Sequence, residues 1–423
     1  MTPRELLAES FRVAVASVQA EAVLPVHLPQ PPQGKTLVVG AGKAAAAMAR
    51  CVERHWPKQA PLGGLVITRH GHALPTERIE VIEAGHPLPD ATGLDAAQRL
   101  HDLCAGANEN DLILALISGG GSSLLTLPAP GLGLADIQAT THALLRSGAP
   151  IEDINTVRKH LSRTLGGQLA AVTRAPVLAL IVSDVAGDAA THIASGPFAP
   201  DPTTYADALA VLQRWQVGAP EAVTRHLTLG VRGEIADTPK AGRPCFAHVE
   251  NRVIAKGRMA LDAAASFFAE RGVTPVILGD TVIGEAREVA QAHAALAQEI
   301  RHHDRPGPAP VAVLSGGETS VTVTGPGRGG RNAEYLLSLA LHLNGLAGAY
   351  ALAADTDGID GTEDNAGALI APDSLARAKQ AGIDGQRCLA DNDAYRFFAG
   401  LDDLLVTGPT LTNVNDYRAI LIS

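Results

Sequence analysis

Two glycine-rich segments have residue types and spacing that suit an anionic ligand. The first follows an apolar run and reads SGGGSS. Its three glycines leave the backbone open to a ligand, and its last two serines add hydroxyl donors where a helix is expected to begin. The predicted ligand contacts are Gly119, Gly120, Gly121, Ser122 and Ser123.

The second segment reads GPGRGGRN and lies directly before a helix that is predicted to begin near Ala333. A helix N-terminus gathers backbone N–H groups and the positive end of the helix dipole, and an arginine adds a planar fork of donors. Glycines that only satisfy turn geometry are the alternative, but the presence of two such loops favours binding. The predicted contacts are Gly329, Gly330, Arg331 and Asn332, together with Gly316 and Gly317 of the SGGE turn that follows the preceding strand.

A third loop, GAGK, joins the first predicted strand to an alanine-rich helix. Lys43 at the start of that helix opposes the helix dipole, which is favourable only where an anion such as a phosphate is bound nearby. Gly42 is assigned to the same ligand. With Gly40 and Ala45 the loop also matches GxGxxA, a dinucleotide-binding pattern. However, Arg69 follows the next strand where an NAD enzyme places an acid for the ribose, which weakens that interpretation; contact of Arg69 with the 2′-phosphate of NADP is the alternative.

Two acidic loops also follow predicted strands. Asp184 and Asp188 come directly after the apolar strand 176–182, at the edge where open α/β sheets bind ligands. They are candidates for a general base or for Mg²⁺ ligands, with helix capping as the alternative for Asp188. Asp355 and Asp357 begin the second loop and are also candidate metal ligands. Asx-turns would account for them equally, and the loop lacks the spacing of an EF-hand.

Near the C-terminus, a polar loop with the sequence TGPTLTNVND lies between two apolar strands. Its amides, Asn413 and Asn415, are placed to orient a substrate hydroxyl or a base without adding charge. An ordinary turn is the alternative for this segment.

Apolar strands alternate with amphipathic helices along most of the chain, which predicts an α/β protein with a doubly wound sheet. A chain of 423 residues is too long for one core, so two domains are expected. The polar stretch 225–243 interrupts the alternation and gives predicted domains of residues 1–235 and 236–423. A strand is also expected at 320–324, where apolar and polar residues alternate.

Several basic residues fall outside these motifs. A predicted helix in the first half of the chain concentrates Arg158, Lys159 and His160, for which a solvated helix face is the favoured interpretation over a role in the ligand cleft. His72 and His86 lie in loops after strands. They lack the spacing and the carboxylate neighbours of a metal site, so they are not assigned to one.

Composition excludes several classes of partner. The net charge of −10 and the absence of a basic tract argue against nucleic acid. The four cysteines have no paired spacing, which argues against a disulfide framework or a thiolate zinc site. Charges interrupt the apolar positions near the N-terminus, and no run approaches the roughly 18 apolar residues of a membrane helix. A cytoplasmic protein without membrane contacts is therefore expected.

Seven separated motifs together resemble the type 2 glycerate kinases with a C-terminal MOFRL domain, proteins that are also called hydroxypyruvate reductases. In chain order the motifs are GAGKAAAAMA, ISGGGSSL, VSDVAGDAATHIASGP, VLSGGETSVTV, GRGGRNAEY, AADTDGIDGTEDNAGA and TGPTLTNVNDYRAILI. None alone would be specific, but they agree in order over nearly the whole chain. One departure is Ala333-Glu334-Tyr335, where the family commonly has Gln-Glu-Phe.

The resemblance implies phosphorylation of D-glycerate by ATP at the 2-hydroxyl, giving 2-phosphoglycerate, with Mg²⁺ as cofactor. It also implies a Rossmann-like N-terminal domain and a smaller mixed-sheet C-terminal domain, with the active site in the cleft between them. The catalytic residues that it carries over are Lys43, Asp184, Glu318, Arg331 and Asn413.

The same resemblance suggests a role for each of these residues. Lys43 and Arg331 are expected to bind phosphate or the substrate carboxylate. Asp184 is expected to act as base or metal ligand, and Glu318 to orient Lys43 or the metal. Asn413 is expected to hold the substrate.

Two other functions remain open at this point. An NAD(P)H-dependent hydroxypyruvate reductase would use the GxGxxA loop, and a binding protein for small acids would use the same anion pockets without turnover. The sequence does not decide between a monomer and a homodimer, nor does it show which domain the C-terminal strand joins.

Overall fold

A computed structural model describes residues 1–423 and shows an α/β protein with two six-stranded sheets. The strands are β1 Thr36–Ala41, β2 Leu62–Arg69, β3 Glu80–Ala84, β4 Leu112–Ile117, β5 Val177–Val182, β6 Val249–Ala255, β7 Thr274–Gly279, β8 Gly284–Glu285, β9 Val311–Ser315, β10 Thr319–Ser320, β11 Ala349–Asp355, β12 Gly367–Ile370, β13 Leu404–Leu405 and β14 Asp416–Ile422.

Sixteen α-helices connect and cover these strands. They are α1 Pro3–Ser17, α2 Ala20–Val23, α3 Ala45–His55, α4 Ala91–Gly106, α5 Gly121–Leu124, α6 Leu134–Ser147, α7 Ile151–His160, α8 Gln168–Val172, α9 Tyr205–Arg214, α10 Glu221–Val231, α11 Gly257–Ala269, α12 Ala286–His303, α13 Arg331–Leu343, α14 Ser374–Gln380, α15 Gly385–Ala390 and α16 Ala394–Ala399. None of these helices has the length and hydropathy needed to cross a membrane.

The chain forms two compact units, one of residues 23–254 and one of residues 1–22 together with 255–423. This division differs from the predicted domains 1–235 and 236–423. Strand β6 still belongs to the first sheet, so the first unit continues beyond the polar stretch 225–243 that predicts the boundary. The first helix belongs to the other unit, because its apolar face packs on the sheet of that unit.

In the 23–254 unit the strand order is β3-β2-β1-β4-β5-β6, the order of a doubly wound sheet. Strands β1 to β5 pair in parallel. Every residue of β1, β4 and β5 is buried, as expected for strands that are covered by helices on both faces. The chain changes direction across the sheet between β1 and β4, and Ala41 pairs with Ile117 at their carboxyl ends. The loops after β1 and β4 are therefore neighbours.

The other unit has a mixed sheet with the order β13-β12-β11-β14-β9-β7. Only β7 and β9 pair in parallel, and the remaining pairs are antiparallel. The C-terminal strand β14 lies between β11 and β9, which answers the question of the domain that it joins. The expected strand 320–324 is limited to Thr319–Ser320, because the chain beyond it pairs with no neighbouring strand.

Helix α1 is part of this second unit because its apolar face packs on the mixed sheet. Phe11 is buried and its ring lies 5.8 Å from the ring of Tyr417 in β14. The hydroxyl of Tyr417 donates to Ser10 Oγ at 2.7 Å. A capping box at Thr2 and Glu5 satisfies the first N–H groups of the helix.

We expect Phe11→Ala to destabilise the unit that contains α1 by about 3–5 kcal/mol, because it leaves a cavity against Tyr417. Hydrogen exchange followed by mass spectrometry should show faster exchange in β11 and β14. The control Val26→Ala removes a side chain that is 82% exposed and should change neither strand. Unchanged exchange in β14 of Phe11→Ala would contradict the packing described for α1.

Candidate active site

The turn after β1 is tied to the SGGGSS loop by its backbone. The Lys43 N–H donates to Gly119 O at 2.9 Å, and the Ala44 N–H donates to Ser118 Oγ at 3.0 Å. These N–H groups at the start of α3 are thus already used within the protein, so the turn does not present them to the pyrophosphate of a dinucleotide. Anion binding at this turn depends instead on the Lys43 side chain.

His86 belongs to the same neighbourhood, although the sequence analysis assigned it to no site. Gly120 has φ +82, and a Cβ built on it would lie 2.9 Å from His86 Nε2 and 3.5 Å from Lys43 Cγ. A side chain at position 120 would therefore collide with the histidine. The imidazole, the loop backbone and the Lys43 side chain line one small region at the carboxyl edge of the sheet.

Ser122 is held by a segment that the sequence analysis did not assign to the site. Its Oγ lies 2.8 Å from Ser195 Oγ. Ala194 and Ser195 have φ of 49 and 56, a region that non-glycine residues adopt at a cost of about 1–3 kcal/mol each. Gly121 permits the close approach, since a Cβ there would lie 2.6 Å from the Cβ of Ala194. Such strain, maintained beside a glycine loop, is typical of functional sites.

Asp184 and Asp188 lie in the loop after β5, the strand next to β4. Both residues are half-buried. The Asp188 N–H donates to Val185 O at 3.1 Å within a turn, and Asp188 has φ 56. The structure thus brings both carboxylates to the same sheet edge as the SGGGSS loop, while their separate roles stay predictions.

In the other unit, Arg331 is surrounded by three carboxylates. Its Nε donates to Asp416 Oδ1 at 2.8 Å and its Nη2 to Asp355 Oδ2 at 2.7 Å, while its Nη1 lies 3.1 Å from Glu318 Oε1. Burial opposes the charge, but the three carboxylates outweigh it and raise the pKa of Arg331 above its usual value. The guanidinium is therefore a permanent cation in a fixed orientation.

The three partners of Arg331 differ in their exposure. The side chains of Asp416 and Asp355 are 0% and 4% exposed, whereas that of Glu318 is 51% exposed. The two buried carboxylates fix the plane of the guanidinium, and the exposed one can be exchanged for another anion. Arg331 thus presents its Nη1 edge toward solvent.

The N-terminus of α13 already holds a carboxylate of the protein itself. Asp360 accepts hydrogen bonds from the N–H groups of Asn332 at 3.0 Å and Ala333 at 2.8 Å. Burial raises the pKa of Asp360 to about 6, and these two N–H groups act in the opposite direction. Gly330 permits this contact, because a Cβ there would lie 2.2 Å from Asp360 Oδ1. The sequence predicts an anion at this helix N-terminus, and the structure shows a carboxylate of the protein itself, that of Asp360, in that position.

The other predicted residues of this unit mainly support the loops. Asp355 Oδ1 accepts from the Asp357 N–H at 3.0 Å, and Asp357 Oδ1 accepts from the Ile359 N–H at 2.8 Å, as in Asx-turns. Asn332 donates through Nδ2 to Asp416 Oδ1 at 2.8 Å.

The glycines after β9 and the amides before β14 also support their loops through hydrogen bonds. The Gly316 N–H donates to Gly279 O, and Gly317 O accepts from the Asp416 N–H. Asn413 is buried and its Oδ1 accepts from the Asn415 N–H at 3.2 Å.

A cavity of about 230 Å³ adjoins the GPGRGG loop. Gly327, Gly329, Gly330 and Arg331 line one side of it, and Glu334 is among its other lining residues. It is large enough for part of a nucleotide, whereas the cavities of about 10 Å³ elsewhere hold a group of the size of one water molecule.

A column of buried groups leads away from Arg331. Asp416 Oδ2 accepts from Arg418, whose guanidinium lies 5.3 Å from the ring centre of Tyr335. The Tyr335 hydroxyl lies 2.8 Å from His293 Nδ1. Burial, together with the charge of Arg418, lowers the pKa of His293 to about 4. The sequence offered one signal for this column, the charged pair Asp416 and Arg418 on the same face of an apolar strand.

Family models match both halves of the chain. The model described as a domain of unknown function, DUF4147, matches residues 6–228, and that of the MOFRL family matches residues 311–416. The two models thus cover the SGGGSS loop and the surroundings of Arg331.

Curated relatives and a solved structure extend over nearly the whole chain. A protein of Agrobacterium vitis named as a hydroxypyruvate reductase is 49% identical, covering 100% of this chain and 95% of its own length. The D-glycerate 2-kinase of Thermotoga maritima is 40% identical, with coverages of 98% and 97%. The crystal structure of a glycerate kinase from Thermotoga maritima has a TM-score of 0.86 and 39% identity, and covers 99% of both chains.

The depressed pKa of His293 predicts a loss of stability in acid. An unfolded histidine titrates near pH 6.5, so between pH 6.5 and 4 the unfolded chain takes up a proton that the folded protein does not. The free energy of unfolding therefore decreases as the pH falls through this range. For His293→Gln we expect a decrease between pH 7 and pH 5 that is smaller by roughly 2 kcal/mol.

Urea denaturation of both proteins at the two pH values measures this difference. His302 is exposed on the same helix, and His302→Gln should behave like the parent. Equal pH dependence of the parent and His293→Gln would show that His293 is not a buried neutral group.

Proposed function

Because the chain belongs to the glycerate 2-kinase family, whose C-terminal domain is the MOFRL domain, we propose that it transfers the γ-phosphoryl group of ATP to the 2-hydroxyl of D-glycerate. The products are 2-phosphoglycerate and ADP. The structural observation that best supports this reaction is the fixed orientation of Arg331 by two buried carboxylates. Phosphoryl transfer depends mainly on positioning and on charge stabilisation, and an oriented guanidinium supplies both.

The reaction requires an exchange of bonds at the γ-phosphorus. The 2-hydroxyl oxygen of glycerate bonds to phosphorus, the bond from phosphorus to the β,γ-bridging oxygen breaks, and ADP leaves with that electron pair. We assign the hydroxyl proton to Asp184. Lys43 and the Nη1 edge of Arg331 are the proposed cations for the phosphates, with Arg331 exchanging its contact with Glu318 for a phosphate oxygen.

Mg²⁺, when bound, neutralises charge on the phosphates of the nucleotide. It is usually held by one or two carboxylates together with phosphate oxygens. Asp355 and Asp357 fit this role poorly, because their oxygens accept backbone hydrogen bonds and Asp355 also pairs with Arg331. Asp188, on a loop at the sheet edge, fits it better and is the proposed ligand.

The other predicted residues are assigned to the nucleotide or to the substrate. The cavity beside the GPGRGG loop, with Gly329 and Gly330, is proposed to accept the nucleotide. The loop of Gly119, Gly120, Gly121, Ser122 and Ser123 is proposed to bind the substrate. Asn413 and Asn415 are proposed to orient it. A cytoplasmic location stays a prediction.

The kinase assay is the direct test of this function. We expect ADP to form from ATP and D-glycerate in the presence of Mg²⁺, with ³¹P NMR identifying the product as 2-phosphoglycerate. NADPH should not be oxidised with hydroxypyruvate, because the backbone N–H groups of the first turn are already used within the protein and are not presented to a pyrophosphate. NADPH oxidation without ADP formation would favour the reductase instead.

Arg331→Lys should lower kcat/KM by about 10²-fold or more, which corresponds to roughly 2.7 kcal/mol, because lysine keeps the charge but loses the planar fork. Thermal stability should also decrease, since Asp416 and Asp355 each lose a hydrogen bond. The matched control is Arg328→Lys in the same loop, where the arginine is exposed and pairs with Glu363. Near-parental kcat/KM of folded Arg331→Lys would remove Arg331 from the reaction.

A further inference from the structure

Arg158 in α7 lines a small recess beside the SGGGSS loop. The recess is also lined by hydroxyl residues that include Ser122, Ser123, Thr141 and Ser162, and by apolar side chains that include Leu127, Ile137 and Leu161. The sequence favoured a solvated helix face for the basic residues of α7. The structure contradicts this, because Lys159 and His160 are buried and Arg158 is only partly exposed.

The charge of Arg158 is not balanced by a neighbouring carboxylate. Lys159 pairs with Asp201 at 3.2 Å, and His160 lies 3.1 Å from Asp237. Arg158 instead donates only to the neutral Asn155 Oδ1, at 3.3 Å. Burial lowers the pKa of Arg158 to about 10, with no compensating charge. A buried guanidinium without a counter-ion is unfavourable by itself and is stabilised by an anion that enters its site.

The dimensions of the recess limit the anion to a small group. Its cavity of about 10 Å³ is close to the space needed by one water molecule. A carboxylate oxygen at the end of a three-carbon acid meets this limit, whereas a nucleotide does not. Ser122 and Ser123 line the same recess, and their hydroxyls, which contact Ser195 Oγ and Gly120 O, would exchange these contacts for the acid.

We propose that Arg158 binds the carboxylate of the 2-hydroxy acid substrate, with the hydroxyls of Ser122 and Ser123 as additional donors. Arg158 would then determine that the enzyme accepts hydroxy acids and rejects neutral polyols. The identity of the acid as D-glycerate rests on the proposed function, but binding of a small hydroxycarboxylate at this recess does not require turnover.

The test measures binding of D-glycerate and of glycolate by calorimetry, without nucleotide, to the parent, Arg158→Met and Arg163→Gln. Arg158→Met should weaken both acids about 10- to 100-fold, the range for hydrogen bonds to a charged group. Arg163 follows α7, bonds to Gln98 and His101 and does not line the recess, so Arg163→Gln should bind as the parent does. Arg158→Lys serves as a second variant that keeps the charge and should show intermediate affinity.

Kinetics and melting separate this role from a structural one. In Arg158→Met the KM for D-glycerate should rise while the KM for ATP stays near the parental value, and the melting temperature of the unliganded protein should not fall. Parental affinity of Arg158→Met for both acids would overturn the inference, as would a parent that binds neither acid. Acid binding that depends on Arg158 in a protein that forms no ADP would overturn the proposed function and leave the inference standing.

Discussion

The arrangement of residues around Arg331 depends on one buried carboxylate, that of Asp416. Its Oδ1 accepts from Arg331 Nε and Asn332 Nδ2, both at 2.8 Å, and its Oδ2 accepts from Arg418. A carboxylate in such a position would be strongly unfavourable without a cation, and Arg418, whose other partners are the neutral Gly316 O and Thr319 Oγ1, would be unfavourable without this carboxylate. The three side chains are therefore interdependent, and their shared hydrogen bonds orient Arg331.

This dependence explains why β14 carries charged residues in the middle of a sheet. Asp416 pairs in register with Asp355, and Arg418 pairs with Ser315, so the last strand brings its charges to the carboxyl end of β9 and to the loop after β11. The glycines after β9 allow the backbone to approach at this point, where Gly317 O accepts from the Asp416 N–H. Strand β14 thus adds Asp416 and Arg418 to a site whose other motifs come earlier in the sequence.

Most of the strands, helices and glycine-rich loops could be predicted from the sequence, because they depend on local residue patterns. Apolar strands followed by SGGGSS and GAGK predicted a doubly wound sheet, and the sheet order confirms this architecture. Local patterns carry no information on distant partners. The contact of Arg331 with Asp416 spans 85 residues, and the placement of α1 on β14 spans almost the whole chain. The predicted domain boundary failed for this reason, as did the interpretation of α7 as a solvated face.

The nesting of one unit within the other has a consequence for biosynthesis. Helix α1 is synthesised before the 23–254 unit, whereas its partner strand β14 is synthesised after that unit. The 23–254 unit has all of its strands early and can fold while the remainder is being synthesised. The apolar face of α1, with Phe11, therefore lacks its partner until β14 has been synthesised. Closure of the mixed sheet over such a sequence separation is a slow step, so the surroundings of Arg331 form only after β14 has been synthesised.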